Sequence, residues 1–119
     1  MAAVESNRVV VFKGKTHGDF IYEDEICVAF EVEGKQAPVH FVVVPKKIVP
    51  SLCDATDEDE ILLGHMLLVA KSLASDRGLA HGGFHTVVDE NHRTRRLEAL
   101  HVFGRALMHM LWPTSLSSS

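Results

Sequence analysis

Among its 119 residues the chain has only two cysteines, Cys27 and Cys53, four prolines, one tryptophan and one tyrosine. Two cysteines without a short metal-like spacing are too few for a disulfide framework, and they fit a reduced, intracellular protein. No apolar run reaches the ~18 residues that a membrane span requires. The opening MAAVESNRVVVF also lacks the basic stretch and long apolar segment of a secretion signal. An excess of basic charge is missing as well: 12 Lys plus Arg stand against 16 Asp plus Glu, for a net charge of -4. That balance argues against general binding to nucleic acid or anionic membranes, though it leaves room for a local basic patch. Signatures of chemistry are equally sparse. There is no G-x-S-x-G, no P-loop, no C-x-x-C and no H-x-H, and no serine stands in a recognisable relation to a histidine.

What is present suits one folded α+β domain. Apolar residues make up 46% and charged residues 24%, and a chain of this size buries roughly two-thirds of its unfolded surface. The domain is expected over residues 9–113, with flexible ends at 1–8 and 114–119. Val9–Phe12 reads as a short buried strand and Lys13–Asp19, with two glycines, as a turn. Phe20, Tyr22 and Ile26–Val32 suggest two strands broken by the acidic corner Glu23-Asp24-Glu25, and Val39–Val44 is a strand that Pro45 ends. Thr56 with Asp59 fits a capping box, and the carboxylates of Asp57, Glu58, Asp59 and Glu60 suit the positive end of a helix. Leu62, Met66, Val69 and Leu73 then recur at helical spacing, and Gly78 stops the helix. Phe84–Asp89 reads as a further strand. The segment from His92 to Trp112 is ambiguous: Leu97, Leu100, Gly104, Leu107 and Leu111 would line a helix face, while Leu97, Ala99, His101 and Phe103 would line a strand face.

Two groups of residues could carry chemistry. The first is the eight histidines, His17, His40, His65, His81, His85, His92, His101 and His109, none spaced as a zinc pair. The second is a run of arginines. Arg93, Arg95, Arg96 and Arg105 are four of the six arginines in an acidic chain, readable as a solvated face or as a contact patch for protein or phosphate.

Taken together, Tyr22-Glu23-Asp24, Cys27-Val28-Ala29-Phe30, Gln36-Ala37-Pro38-Val39-His40-Phe41, Val44-Pro45-Lys46-Lys47 and Leu62-Leu63-Gly64-His65 resemble the histidine-triad (HIT) family, and more narrowly its Hint branch. The resemblance runs from about Val9 to Pro113. It implies a five-stranded antiparallel sheet with one main helix, joined into a ten-stranded sheet across a dimer, with a site that binds purine nucleotides and hydrolyses phosphoramidates. The family's catalyst is an H-x-H-x-H strand whose middle histidine attacks phosphorus. Here the matching positions are Leu97, Ala99 and His101, so only the third histidine remains. A methyl group has no lone pair to attack with. The resemblance therefore implies a catalytically inactive protein.

Other departures agree. The glycine-rich phosphate segment of the family corresponds to Asp89-Glu90-Asn91-His92-Arg93-Thr94, which is shorter, lacks glycine and puts an acid in place of asparagine. Val32 stands where a ribose-binding acid belongs. Cys27 matches a zinc cysteine of some members, but Ile48 stands at their histidine position, so neither metal nor other cofactor is expected. A residual nucleotide pocket would retain Phe12, Phe30, His40 and His101 and bind purine nucleotides weakly or not at all. The implied dimer would use Leu62, Met66, Val69, Leu73, Phe84, Val87, Val88 and Trp112. The expected partners are a second copy of the chain and an active Hint subunit, without membrane or nucleic acid, in cytoplasm and nucleus. Two rival readings are a residual purine nucleotide binder or weak hydrolase using His40 and His101, and a protein-interaction module built on the arginines.

Overall fold

The computed structural model describes residues 9–32, 39–79 and 82–104. The expectations placed on residues 1–8 and 114–119, and on His81, Arg105, Leu107, His109, Leu111, Trp112 and Pro113, lie outside that set. So do Gln36, Ala37 and Pro38.

The chain opens with a hairpin of β1 (Val10–Phe12) and β2 (Lys15–His17). Its turn is Lys13-Gly14, both residues at positive φ (54 and 82), the two-residue form that matches strand twist. The longer turn expected over Lys13–Asp19 is therefore corrected: Gly14 completes the reversal at once, and Lys15–His17 pairs back onto Val10–Phe12. Five further strands follow: β3 (Tyr22–Glu23), β4 (Cys27–Glu31), β5 (His40–Pro45), β6 (Phe84–Asn91) and β7 (Arg96–Gly104). They form one antiparallel sheet in the order β3-β4-β5-β7-β6. Between β5 and β6 lies the one long helix of the described residues, α1 (Glu60–Asp76). This is the α+β architecture expected, a five-stranded antiparallel sheet with one main helix.

The helix begins as its sequence suggests. Thr56 and Asp59 exchange both bonds of a capping box around a short 3₁₀ turn, Asp57–Asp59, that leads into α1. It ends where Gly78 takes φ 81 and Leu79 N–H donates back to the Ala74 carbonyl, closing the last turn.

Met66, Val69, Ala70, Leu73 and Ala74 bury one helix face against Cys27, Ala29, Phe41, Val43, Leu97, Leu100 and Val102 of the sheet. The regular stripe expected at a dimer interface is thus core of its own subunit. Met66, Val69 and Leu73 cannot also face a partner, and Leu62 is half-buried against the same core. The outward apolar residues of the helix are Ile61, Leu67 and Leu68.

The ambiguous segment is a strand over Arg96–Gly104, paired with both β5 and β6. Its register slips by one residue: Asp89 opposes Ala99, but Glu90 opposes Leu97. Glu98 is the extra residue, and the bulge turns Leu97 to the helix side with Leu100 and Val102. The expected strand face of Leu97, Ala99, His101 and Phe103 is therefore corrected, because Leu97 lies on the opposite face from Ala99.

Candidate functional site

The sheet face away from α1 is covered by the β1–β2 hairpin, and the side chains expected to matter meet there. Phe12, Val28, Phe30, Val42, Val44 and Ala99 form its apolar floor. Alternation along the strands brings His40 from β5 and His101 from β7 to the same face. Register places Val42, His101 and Val87 side by side across three strands, with Asp89 one step along beside Ala99.

A chain of polar contacts runs across this face. His40 Nε2 lies 3.1 Å from His101 Nδ1, His101 Nε2 lies 2.8 Å from Asp89 Oδ2, and Lys13 Nζ lies 3.1 Å from both Asp89 oxygens. Facing a carboxylate, His101 Nε2 carries a proton and donates it. In the neutral ring Nδ1 then accepts from His40 Nε2–H. Both nitrogens of His101 are thereby engaged. Burial pushes the Asp89 carboxyl upward, but the hydrogen bonds from His101 and Lys13 outweigh it, and the group titrates below the ordinary carboxylate range. Ala99 is fully buried and offers only a methyl group at the centre of the face.

Aromatic rings extend the site. The His17 ring stacks on Phe30 at 4.2 Å, and Phe12 meets Phe30 edge-on at 5.9 Å with His101 6.1 Å away. An open cleft of about 720 Å³ lies alongside, lined by His17, Phe20 and Phe30 among others. The four residues expected in a residual pocket, Phe12, Phe30, His40 and His101, are thus brought together. Sequence reasoning listed His17 among the candidate histidines without placing it here, and it missed Phe20 and Lys13, although the Lys13-Gly14 pair was a readable sign of a tight hairpin.

Other candidates disperse. Of the two carboxylates in the segment Asp89–Thr94, only Asp89 faces the site. Glu90, beyond the register slip, accepts from Leu52 N–H at 2.7 Å. Arg93, Arg95 and Arg96 share the region between β6 and β7, but Arg95 is bound in bidentate fashion by Asp54, at 2.8 and 2.7 Å. Of the proposed interface residues on β6, Phe84 packs towards the helix core, Val87 packs on Phe103 and Val88 is exposed. On the helix face of the molecule, Asp24 Oδ1 accepts from Ile26 and Cys27 N–H, and Oδ2 from the Tyr22 hydroxyl and His65 Nε2–H, at 2.6–2.9 Å. Asp24, Cys27 and His65 bring an oxygen, a sulfur and a nitrogen within 4.8 Å of one another. That donor set suits zinc; the carboxylate also accepts four hydrogen bonds, so the cluster ties the β3–β4 corner to α1.

With this geometry the comparisons with known proteins agree. The family model described as "Scavenger mRNA decapping enzyme C-term binding" matches residues 8–105. The chain is 30% identical over 105 residues to the purine nucleoside phosphoramidase of Escherichia coli, covering 85% of this chain and 88% of that one. The chain belongs to the histidine-triad family. An uncharacterized HIT-like protein of Synechococcus elongatus is 40% identical over 79 residues, 66% of this chain and 68% of its own. The crystal structure of a HIT family hydrolase from Legionella pneumophila superimposes with a TM-score of 0.64 at 32% identity, over 72% of this chain and 80% of that one.

Proposed function

We propose that this HIT protein is catalytically inactive, belongs to the Hint branch, resembling the degenerate avian W-chromosome-linked paralogue, and acts by forming dimers with itself and with active Hint subunits. The observation that carries the proposal is Ala99, buried at the centre of the site face where the family's pattern has its nucleophile. No covalent intermediate can form on a methyl group. The neighbouring His101 has both nitrogens engaged, and acid–base assistance alone is worth about 10²–10⁴ in rate. Mixed dimers would each hold at most one working site, which lowers the partner's activity. The buried, free thiol of Cys27 is consistent with residence in the reducing cytoplasm and nucleus.

Single-turnover hydrolysis of a purine nucleoside phosphoramidate tests the inactivity: no product above the uncatalysed rate is expected, and no nucleotide adduct on the protein. A covalent adduct on any residue would overturn the proposal. Ala99→His alone is expected to restore little, because Leu97 is turned into the helix core and no first histidine can be recovered there without undoing the bulge at Glu98.

A second reading has its own observation. The cleft beside Phe30 retains an aromatic floor on which a purine base could stack. The alternative reading is a residual purine nucleotide binder or weak hydrolase that uses His40 and His101 beside this cleft.

A further inference from the structure

The loss of the nucleophile does not explain Asp89. Two donors from separate elements, Lys13 Nζ from the hairpin turn and His101 Nε2 from β7, converge on one position above the sheet, and the Asp89 carboxylate fills it. Lys13 straddles both oxygens at 3.1 Å while His101 donates to Oδ2 at 2.8 Å. Convergent N–H donors on a partly buried surface are how proteins hold an external oxyanion. The ligand here is part of the chain, and it is held on a β-strand at the last step before the register with β7 slips, where Asp89 still pairs with Ala99.

We propose that Lys13 and His101 form an anion-binding site whose resident ligand is Asp89, and that Asp89 is the residue that excludes phosphoryl groups from this face. The proposal rests on the reading of this face as the family's former nucleotide site. The charges decide the outcome. Lys13 and Asp89 cancel, so an arriving phosphomonoester meets no net positive charge and a carboxylate already in place. Like charges a few Å apart in a partly buried site repel strongly. A neutral ribose or base entering the aromatic cleft lined by His17, Phe20 and Phe30 meets no such repulsion. Phosphate could enter only by displacing Asp89, which would strip the carboxylate of its three contacts. Selection thus falls on ligands without phosphate, a specificity opposite in sign to that of a nucleotide hydrolase.

The test uses the full chain titrated with AMP, adenosine and inorganic phosphate, followed by amide chemical shifts so that millimolar binding is measurable. Asp89→Asn keeps the shape and an acceptor for His101 but removes the charge. It is expected to tighten AMP and phosphate by about tenfold or more, with adenosine changed by less than about twofold. Adding Lys13→Met to that variant is expected to abolish the gain, a result that a purely structural role of Asp89 would not produce. Equal AMP affinity in wild type and Asp89→Asn, including no binding by either, overturns the proposal, as does a parallel change for all three ligands. Wild-type protein that binds AMP more tightly than adenosine overturns it without any variant. Dimerisation and catalysis play no part in these titrations, so their failure and that of the interference proposal are separate results.

Discussion

Asp24 and Asp89 are both carboxylates set among donors, but they do different work. Asp24 accepts two backbone N–H groups, a tyrosine hydroxyl and the His65 ring, tying the β3–β4 corner to α1. Burial raises its pKa, and the bonds from Tyr22, Cys27, His65 and Ile26 together outweigh burial and hold it well below the ordinary value. A carboxyl whose folded pKa lies below its unfolded one contributes stability that is full above about pH 4 and is lost as pH falls further. Asp24→Asn is expected to lower stability at pH 7 by about 2–3 kcal/mol, since an amide NH₂ would meet donors where an oxygen accepted. The variant should also lose less of its remaining stability between pH 5 and pH 2 than wild type does. Urea titrations at several pH values check both; a variant that keeps the full acid sensitivity of wild type would place that sensitivity elsewhere. The Tyr22 hydroxyl, donating to the same carboxylate, is correspondingly pushed up to about 12.

Among the elements, those decided by local chemistry were legible in the sequence. The capping box at Thr56 and the glycine stop at Gly78 involve residues within one turn of each other, so they read directly and mark the helix at both ends. Thr56→Ala is expected to cost about 1 kcal/mol, as caps generally do, shifting the denaturation midpoint without changing the slope. An unchanged midpoint would mean that the tertiary packing of Met66 and Leu73 holds the helix start without its cap. β7 was not legible, and its bulge gives the physical reason. One extra residue at Glu98 shifts the phase of a period-two pattern, so Leu97 and Leu100 share a face three residues apart, as they would on a helix. The same slip hid which of Asp89 and Glu90 faces the site. The helix stripe posed a different problem. Spacing shows that Met66, Val69 and Leu73 lie together, but not whether a sheet of the same subunit or a second chain covers them. His40, His101, Phe12 and Phe30 could be assigned to one site only through the family resemblance, because they come from four separate strands.

At the scale of the whole molecule, the sheet of the described residues ends in the edge strand β6. β6 runs for 8 residues and is hydrogen-bonded to β7 on one side, and among the described residues no strand pairs with its other side. Val88 on that strand is 38% exposed, and Leu67 and Leu68 on α1 are 51% and 62% exposed. A long edge beside apolar surface invites pairing with another chain, and a two-fold pairing of β6 with its own copy would bury the edge and extend the sheet to the ten strands of the family pattern. Because such an interface is self-complementary, an active Hint subunit with a similar edge could replace one copy. Native mass spectrometry of the protein at micromolar concentration is expected to give twice the 13.2 kDa of the chain. Co-expression with a differently tagged active subunit is expected to give the mixed mass as well. Val88→Arg should weaken both dimers by about thirtyfold or more, since it would bury an unpaired charge if β6 is the contact. Asp89→Asn, on the opposite face of β6 from Val88, should leave both masses unchanged. Dimers that ignore Val88→Arg would move the contact away from β6, to the Leu67–Leu68 face of α1. A strictly monomeric species would remove the homodimer and, with it, the physical basis for interference with an active partner.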